Sequence, residues 1–270
     1  MIPSASKTAA VLPAYHVVRL DGVDSTNDEL KRRAQAGCPA GTVVQAGTQS
    51  AGRGRRGRTW QSPKGNLYTS LLLRPECGIA SALELVFVAG LAVADAVDDV
   101  IADAAGQGTA VRCKWPNDVL FDGRKIAGIL VESQADAVGG LDWLVVGIGV
   151  NIVSHPDDAS SLYPATSLAD AGASGARSED VLDAVLGAFA AWYERWRGDG
   201  FAGVRRAWLD RALGVGEPIT VRLERETLSG TFAGIDESGQ LQLATASGLR
   251  PVSTGDVFPT RHASEAAYGG

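Results

Sequence analysis

The chain has 270 residues, enough for one large domain or for a medium domain with a small one attached. Its 45% hydrophobic and 21% charged residues fit an ordinary globular core, and its net charge of −6 excludes a surface that attracts nucleic acid or anionic membrane by bulk charge, so any basic site must be local. Cys38, Cys77 and Cys113 are odd in number and lack a C-x-x-C pair, which excludes a disulfide framework and points to a reducing cytosol; no stretch reads as a signal peptide, and no run of about 18 apolar residues reads as a membrane span.

Residues 1–14 are expected to form a flexible leader. His16 to Leu20 reads as a short strand, and Ser25 with Asp28 three positions on approximates a capping box that opens a helix running to Ala36 and stopping at Gly37. Thr42 to Gln49 and Leu67 to Leu73 read as strands around a stretch too rich in glycine for either helix or strand. Ala80 to Ala105 is apolar on most faces and reads as one long buried helix. Ala110 to Trp115 and Lys125 to Gln134 read as strands, separated by a Pro116-Asn117-Asp118 turn and an Asp122-Gly123 hairpin turn. Leu141 to Val150 is a further strand, residues 154–176 a loop region, Ser178 to Arg197 an amphipathic helix capped by Ser178, and Phe201 to Leu213 a second helix. From Gly214 the texture changes to short alternating runs punctuated by glycine: Ile219–Leu223, Thr227–Ile235, Leu241–Ala244 and Leu249–Val252. That spacing predicts a small β-barrel of about five strands. The expected organisation is an α+β domain over 15–213, a barrel over 214–262 and a disordered tail over 263–270.

Two clusters carry chemistry. Gly52-Arg53-Gly54-Arg55-Arg56-Gly57 spells G-x-G-x-x-G, but Thr59-Trp60-Gln61-Ser62-Pro63 follows where a dinucleotide fingerprint needs a helix, so that reading fails. Arg53, Arg55, Arg56 and Arg58 in an acidic chain repel one another by about 1 kcal/mol per pair at ~4 Å in water. Such a loop is expected to stay mobile until an anion neutralises it. Guanidinium forks suit phosphate and carboxylate, and glycines let backbone N–H groups approach a ligand. The alternative is a solvated basic loop, such as an Arg–Gly segment that binds nucleic acid. In the second cluster, Lys114-Trp115-Pro116-Asn117-Asp118 sets a lysine and a carboxylate about a turn, and Lys125 opens a strand of apolar residues. A lysine there must be paired or lose its proton. Either Asp118 is its ion-pair partner, or Lys125 meets a ligand anion and Asp118 a metal. His16, His155 and His262 have no metal spacing, and neither a P-loop nor a G-x-S-x-G elbow is present.

In one order along the chain, Ser25-Thr26-Asn27, Gln49 with Gly52 to Arg58 and Trp60, Lys114 to Asp118, Lys125 to Leu130 and Gly147 to Asn151 resemble the biotin–protein ligase family over roughly residues 15–260. The resemblance implies a mixed β-sheet backed by helices, a class II synthetase-like catalytic domain, and a C-terminal SH3-like β-barrel. It implies ATP and Mg²⁺ with biotin as substrate, through biotinyl-5′-AMP. The implied partner is the biotin carboxyl carrier domain of acetyl-CoA carboxylase or of another biotin-dependent carboxylase, in the cytoplasm. By the same resemblance, Ser25, Thr26, Asn27, Gln49, Gly52, Arg53, Gly54 and Gly128 serve biotin. Arg55, Arg56, Arg58, Trp60, Lys114, Asn117, Asp118 and Asn151 serve ATP or the adenylate, with Asp118 open to Mg²⁺. Lys125, Arg55 and Asp118 are the implied catalytic residues, with Lys125 bridging the biotin carboxylate and the α-phosphate. Only about 20 residues precede Ser25, too few for the winged helix–turn–helix of the repressor-type members, so no DNA binding is expected, and the assembly is expected to be a monomer or weak dimer. A lipoate–protein ligase and a nucleic-acid binder using the Arg loop stand as the alternatives.

Overall fold

The computed structural model describes residues 15–105, 111–137, 140–157 and 163–259. The expected leader and tail lie outside the described residues.

Seven strands form the main sheet: β1 (His16–Leu20), β2 (Thr42–Ala46), β3 (Leu67–Leu73), β4 (Val111–Lys114), β5 (Asp118–Phe121), β6 (Arg124–Ala135) and β7 (Leu141–Val150). Their order is β1-β2-β3-β7-β6-β5-β4, and only β1 and β2 run parallel. The helices are α1 (Thr26–Gln35), α2 (Ile79–Ala82), α3 (Leu85–Ala105), α4 (Ser178–Asp199) and α5 (Phe201–Asp210). A mixed sheet backed by helices is what the resemblance implies. No helix among the described residues is long and apolar enough to cross a membrane.

Strand alternation divides the sheet into two faces. Leu67, Leu71 and Leu73 of β3 and Leu144, Val146, Ile148 and Val150 of β7 point into the main core with α3, α4 and α5. The opposite face is covered only in part. Leu30 and Ala34 of α1 pack there on Val44, Leu72, Trp143 and Val145. Each fully buried Leu or Val contributes about 1.5–3 kcal/mol. On β7 the same face continues from Trp143 and Val145 to Gly147 and Gly149, so the side chains vanish beside the N-terminus of α1. That leaves a hollow.

The second sheet is antiparallel: β8 (Pro218–Arg222), β9 (Thr227–Ile235), β10 (Leu241–Thr245), β11 (Gly248–Val252) and β12 (Asp256–Pro259), in the order β11-β10-β9-β8-β12. Gly239 meets the first domain, where Trp115 Nε1 donates to its carbonyl at 3.0 Å and Phe87 packs against its Cα.

Local differences from the expectations have physical causes. The strand from Thr42 ends at Ala46, and the next residue, Gly47, passes so close to the Asp21 carbonyl that a Cβ would lie 2.8 Å from it. The long helix is broken at Leu83–Glu84 into α2 and α3, with Leu83 exposed to solvent. A strand, β5, occupies the span between the two expected turns. Ser178 does not cap α4: Arg177 is the N-cap residue, and the Ser178 hydroxyl accepts from Gln45 Nε2 at 3.4 Å. Helix α5 stops at Asp210, because the next residues pair with β4 instead: Cys113 N donates to Arg211 O, and Leu213 N to Cys113 O. The unassigned β12 closes on β8.

Candidate active site

The hollow is a cavity of about 590 Å³ at the N-terminus of α1, roofed by the Gly/Arg loop and bordered by β12. Sheet register builds its floor. Ser70, Gly147 and Leu130 lie side by side across β3, β7 and β6, and Tyr68, Gly149, Gly128 and Asp118 form the next row. The indole of Trp60 lies on that second row: a Cβ on Gly149 would stand 2.6 Å from its ring, and one on Gly128 3.0 Å. The glycines of β6 and β7 are therefore the room in which the site exists.

Lys125 reaches the site through a β-bulge. Val119 pairs with Ala127 but Leu120 pairs with Lys125, so Ile126 is the extra residue. Ile126 and Ala127 both enter the core, and Lys125 turns onto the open face instead of following strict alternation inward. There Lys125 Nζ sits 2.6 Å from Asp118 Oδ1 and 5.3 Å from the centre of a Trp60 ring. Lys114 Nζ, from the strand on the other side, reaches Asp118 Oδ2 at 3.3 Å and lies over Tyr163 at 4.9 Å. Burial alone raises the Asp118 carboxyl, but Lys125 and Lys114 outweigh it and hold it at about 2. The two lysines against one carboxylate leave one positive charge in excess.

The Gly/Arg loop carries a short 3₁₀ turn at Arg55–Gly57, with Arg56 in the left-handed region at φ 56°. Its arginines all find acceptors within the protein, and three of the four meet carboxylates. Arg53 binds Asp28 at 2.7 Å and Glu132 at 3.1 Å. Arg55 donates to Asn117 Oδ1 at 3.3 Å, Thr254 Oγ1 at 2.9 Å and Gly255 O at 3.5 Å, and burial lowers its affinity for a proton despite Asp118 and Asp256 nearby. Arg56 and Arg58 both bind Asp256 of β12, Arg56 at 3.1 Å. Burial raises that carboxyl, yet the three arginines, Arg58 foremost, hold it below the usual range.

At the other end, Ser25 caps α1 by accepting from Asp28 N, and Thr26 N donates to Gln49 Oε1 at 2.8 Å. Asn27 Nδ2 donates to Glu132 at 2.7 Å and to Leu130 O at 3.3 Å. Asn151 lines the cavity with its amide fixed by Thr166 O at 2.9 Å. Most of the residues implied by the resemblance, from Ser25 to Asn151, therefore converge on one cavity, Gly54 and Gly128 among them. Gly52 and Arg56 do not line it. Gly52 packs under the Trp60 carbonyl, and Arg56 turns to the barrel. Sequence reasoning missed Ser70, Glu132, Tyr163 and Asp256: each is ordinary in its local sequence and joins the site only through pairing or folding back.

No group of three or more His, Cys, Asp or Glu arranged to hold a metal occurs among the described residues. Both Asp118 oxygens are engaged by lysines.

The chain matches the Biotin/lipoate A/B protein ligase family over residues 20–151 and the Biotin protein ligase C terminal domain over residues 214–258. It is 41% identical to the biotin–[acetyl-CoA-carboxylase] ligase of Paracoccus denitrificans, covering 87% of this chain and 97% of that protein. Among solved structures it resembles the biotin protein ligase from Aquifex aeolicus in complex with biotin and ATP, with a TM-score of 0.73 at 28% identity over 91% of this chain and 99% of that one. It also resembles the Leishmania major biotin protein ligase in complex with biotinyl-5-AMP, with a TM-score of 0.63 at 28% identity over 90% of this chain and all of that one.

Proposed function

This chain belongs to the biotin/lipoate A/B protein ligase family, and we propose that it is a biotin–protein ligase that works in two steps. First, a carboxylate oxygen of biotin attacks the α-phosphorus of ATP, the bond to pyrophosphate breaks, and biotinyl-5′-AMP forms. Second, the ε-amine of a lysine on a biotin carboxyl carrier domain attacks the anhydride carbonyl, AMP leaves, and the amine gives up a proton. The acetyl-CoA carboxylase carrier is the first candidate acceptor, from the name of the Paracoccus relative.

The observation that carries this reading is the group Lys125–Asp118–Lys114 on a glycine floor, with Arg55 beside it. The attacking carboxylate and the phosphate are both anions, so a net positive cluster where they meet offsets their repulsion and stabilises charge in the transition state. Each aimed donor of this kind contributes about 2.7–4 kcal/mol. No protein nucleophile is required, and holding two substrates in line supplies much of the remaining rate. Ser25, Thr26, Asn27 and Gln49 would receive the biotin head, with Arg53 and Gly54 at its border. Lys125 would bridge carboxylate and α-phosphate, Arg55 and Arg58 would take the phosphates, and Trp60 and Asn151 would bound the base. Among the described residues no group of His, Cys, Asp or Glu is arranged as a Mg²⁺ cage. The odd, scattered set of Cys38, Cys77 and Cys113 in the sequence suits a reducing cytoplasm.

The family also includes lipoate ligases. The polar head end of this cavity favours a ureido ring over a dithiolane, which offers no N–H or carbonyl to pair. Biotin-dependent ATP–pyrophosphate exchange, run beside lipoate, tests the reading. Exchange with biotin alone supports it; exchange with lipoate alone moves the substrate; exchange with neither, in folded protein, overturns it.

A further inference from the structure

One face of the barrel looks into the cavity. β8 and β12 pair antiparallel, with Arg222 opposite Asp256 and Thr220 opposite Phe258. Residues that are opposite, or two apart on one strand, share a side of the sheet. Asp256 and Phe258 both line the cavity, so this is the face that the barrel gives to the site. An arginine directly across the ladder from an aspartate is placed to pair with it. Arg222 does not do so. Its guanidinium lies diagonally over the Phe258 ring, 5.1 Å from the centroid, and among the described residues no carboxylate pairs with it. Asp256 is held instead by Arg56 at 3.1 Å and by Arg58, both from the Gly/Arg loop.

The loop is thus seated where a cross-strand ion pair would otherwise form. Arg56 Nη1 donates both to Asp256 and, at 3.4 Å, to the carbonyl of Arg222 itself. A loop arginine that turns to a polyphosphate gives up Asp256, whose side chain keeps only 15% of its surface exposed. That carboxylate then has fewer cations around it and a polyanion newly beside it, and both changes cost free energy. Arg222 is the cation in reserve. Ladder register sets its Cβ beside that of Asp256, so a change of side-chain rotamer brings the two together while the strands stay in place. Its present contact with Phe258 is at the surface, where a cation–π pair is weak enough to be exchanged.

We propose that Arg222 is a positioning residue for the ATP step: when Arg58 turns to the phosphates, Arg222 moves from Phe258 onto Asp256 and takes its place. This exchange rests on the biotin ligase reading above, in which Arg58 serves ATP, and deepens it by adding a barrel residue that does not touch the nucleotide. The loop then changes partners without leaving a half-buried carboxylate unpaired. Because Arg222 acts only through Asp256, its effect on ATP must vanish when residue 256 carries no charge.

A double-mutant cycle tests it in the full chain, with biotin-dependent ATP–pyrophosphate exchange as the assay. Arg222→Met keeps an apolar stem over Phe258 and removes the charge. It should raise the KM for ATP about fivefold, equivalent to about 1 kcal/mol, while the KM for biotin stays within about twofold of wild type. Arg222→Lys, which keeps the charge, should restore most of the loss. Arg250→Met removes a charge elsewhere on the barrel, where Arg250 pairs with Glu226, and should leave the KM for ATP within about twofold. In an Asp256→Asn background, Arg222→Met should have no further effect. Arg222 is exposed, so the variants should fold, and thermal unfolding checks that they do. A KM for ATP that is unchanged in folded Arg222→Met overturns the proposal. So does a fivefold rise that persists in the Asp256→Asn background, which would mean that Arg222 meets the phosphates directly. Wild-type protein with no biotin-dependent exchange removes the ligase reading and this one with it, whereas wild-type exchange with an unmoved Arg222→Met removes this one alone.

Discussion

Lys125 and Asp118 determine most of the expected chemistry, and each makes a separate prediction. Replacing Lys125 by Gln keeps a polar side chain on the bulge and removes the charge. Pyrophosphate exchange should fall about 10²–10³-fold, the cost of one aimed electrostatic donor, with the melting temperature moved by only a few degrees; exchange within threefold of wild type would rule out the bridging role. Asp118 makes a prediction in pH. Its carboxyl sits at about 2 in the fold against 3.8 for the free group. A carboxyl whose folded value is depressed stabilises the fold above its unfolded value, and that stability is lost as pH falls toward the folded value. The melting advantage of wild type over Asp118→Asn should therefore be level from neutral pH to about 4 and shrink between 4 and 2. A constant difference across that window would show that the two lysines do not hold the charge. Both residues stand out in the sequence, because a lysine opening an apolar strand must be paired. Ser70 and Glu132 do not, because nothing local marks a buried serine in an apolar strand or a glutamate late in β6 as a neighbour of Asn27.

At the scale of elements, β7 and the Gly/Arg loop are shaped by what they leave room for. A Cβ on Gly147 would overlap Asn27 Oδ1. Gly147→Ala should displace Asn27, weaken biotin binding at least tenfold and lower stability by about 1–3 kcal/mol, the usual cost of overpacking. Calorimetry and chemical denaturation measure the two effects, and biotin affinity equal to wild type would mean that the strand yields instead. Pairing with β3 and β6 turns Gly147 and Gly149 of β7 to the hollow, not the core. For the loop, four neighbouring arginines suggested mobility until an anion arrives. The fold provides anions of its own in Asp28, Glu132 and Asp256.

Across the whole molecule, the barrel and the first domain share the site's upper edge. Asp256 of β12 binds Arg56 and Arg58, and Thr254 and Gly255 accept from Arg55. Asp256→Ala should release the loop from the barrel, so that trypsin cuts after Arg56 or Arg58 several-fold faster than in wild type. Equal cleavage rates would mean that the Asp256 contacts do not restrain the loop. The change of texture at Gly214 and the four alternating runs after it announce a small β-unit, but β12, which closes that unit against the loop, carries too short a pattern to be read alone.

What the sequence determined by itself is the set of elements and the chemical character of two clusters. Periodicity, caps and glycine breaks are local, and a resemblance in motif order needs no coordinates. What only tertiary structure decided is which residues face one another. The bulge at Ile126 turns Lys125 toward Asp118, the register aligns Ser70 with Gly147, and β12 folds back to meet an arginine loop about 200 residues earlier. Strand register and side-chain facing are set by non-local pairing, where a shift of one residue inverts every side chain, and no single stretch of chain contains that information.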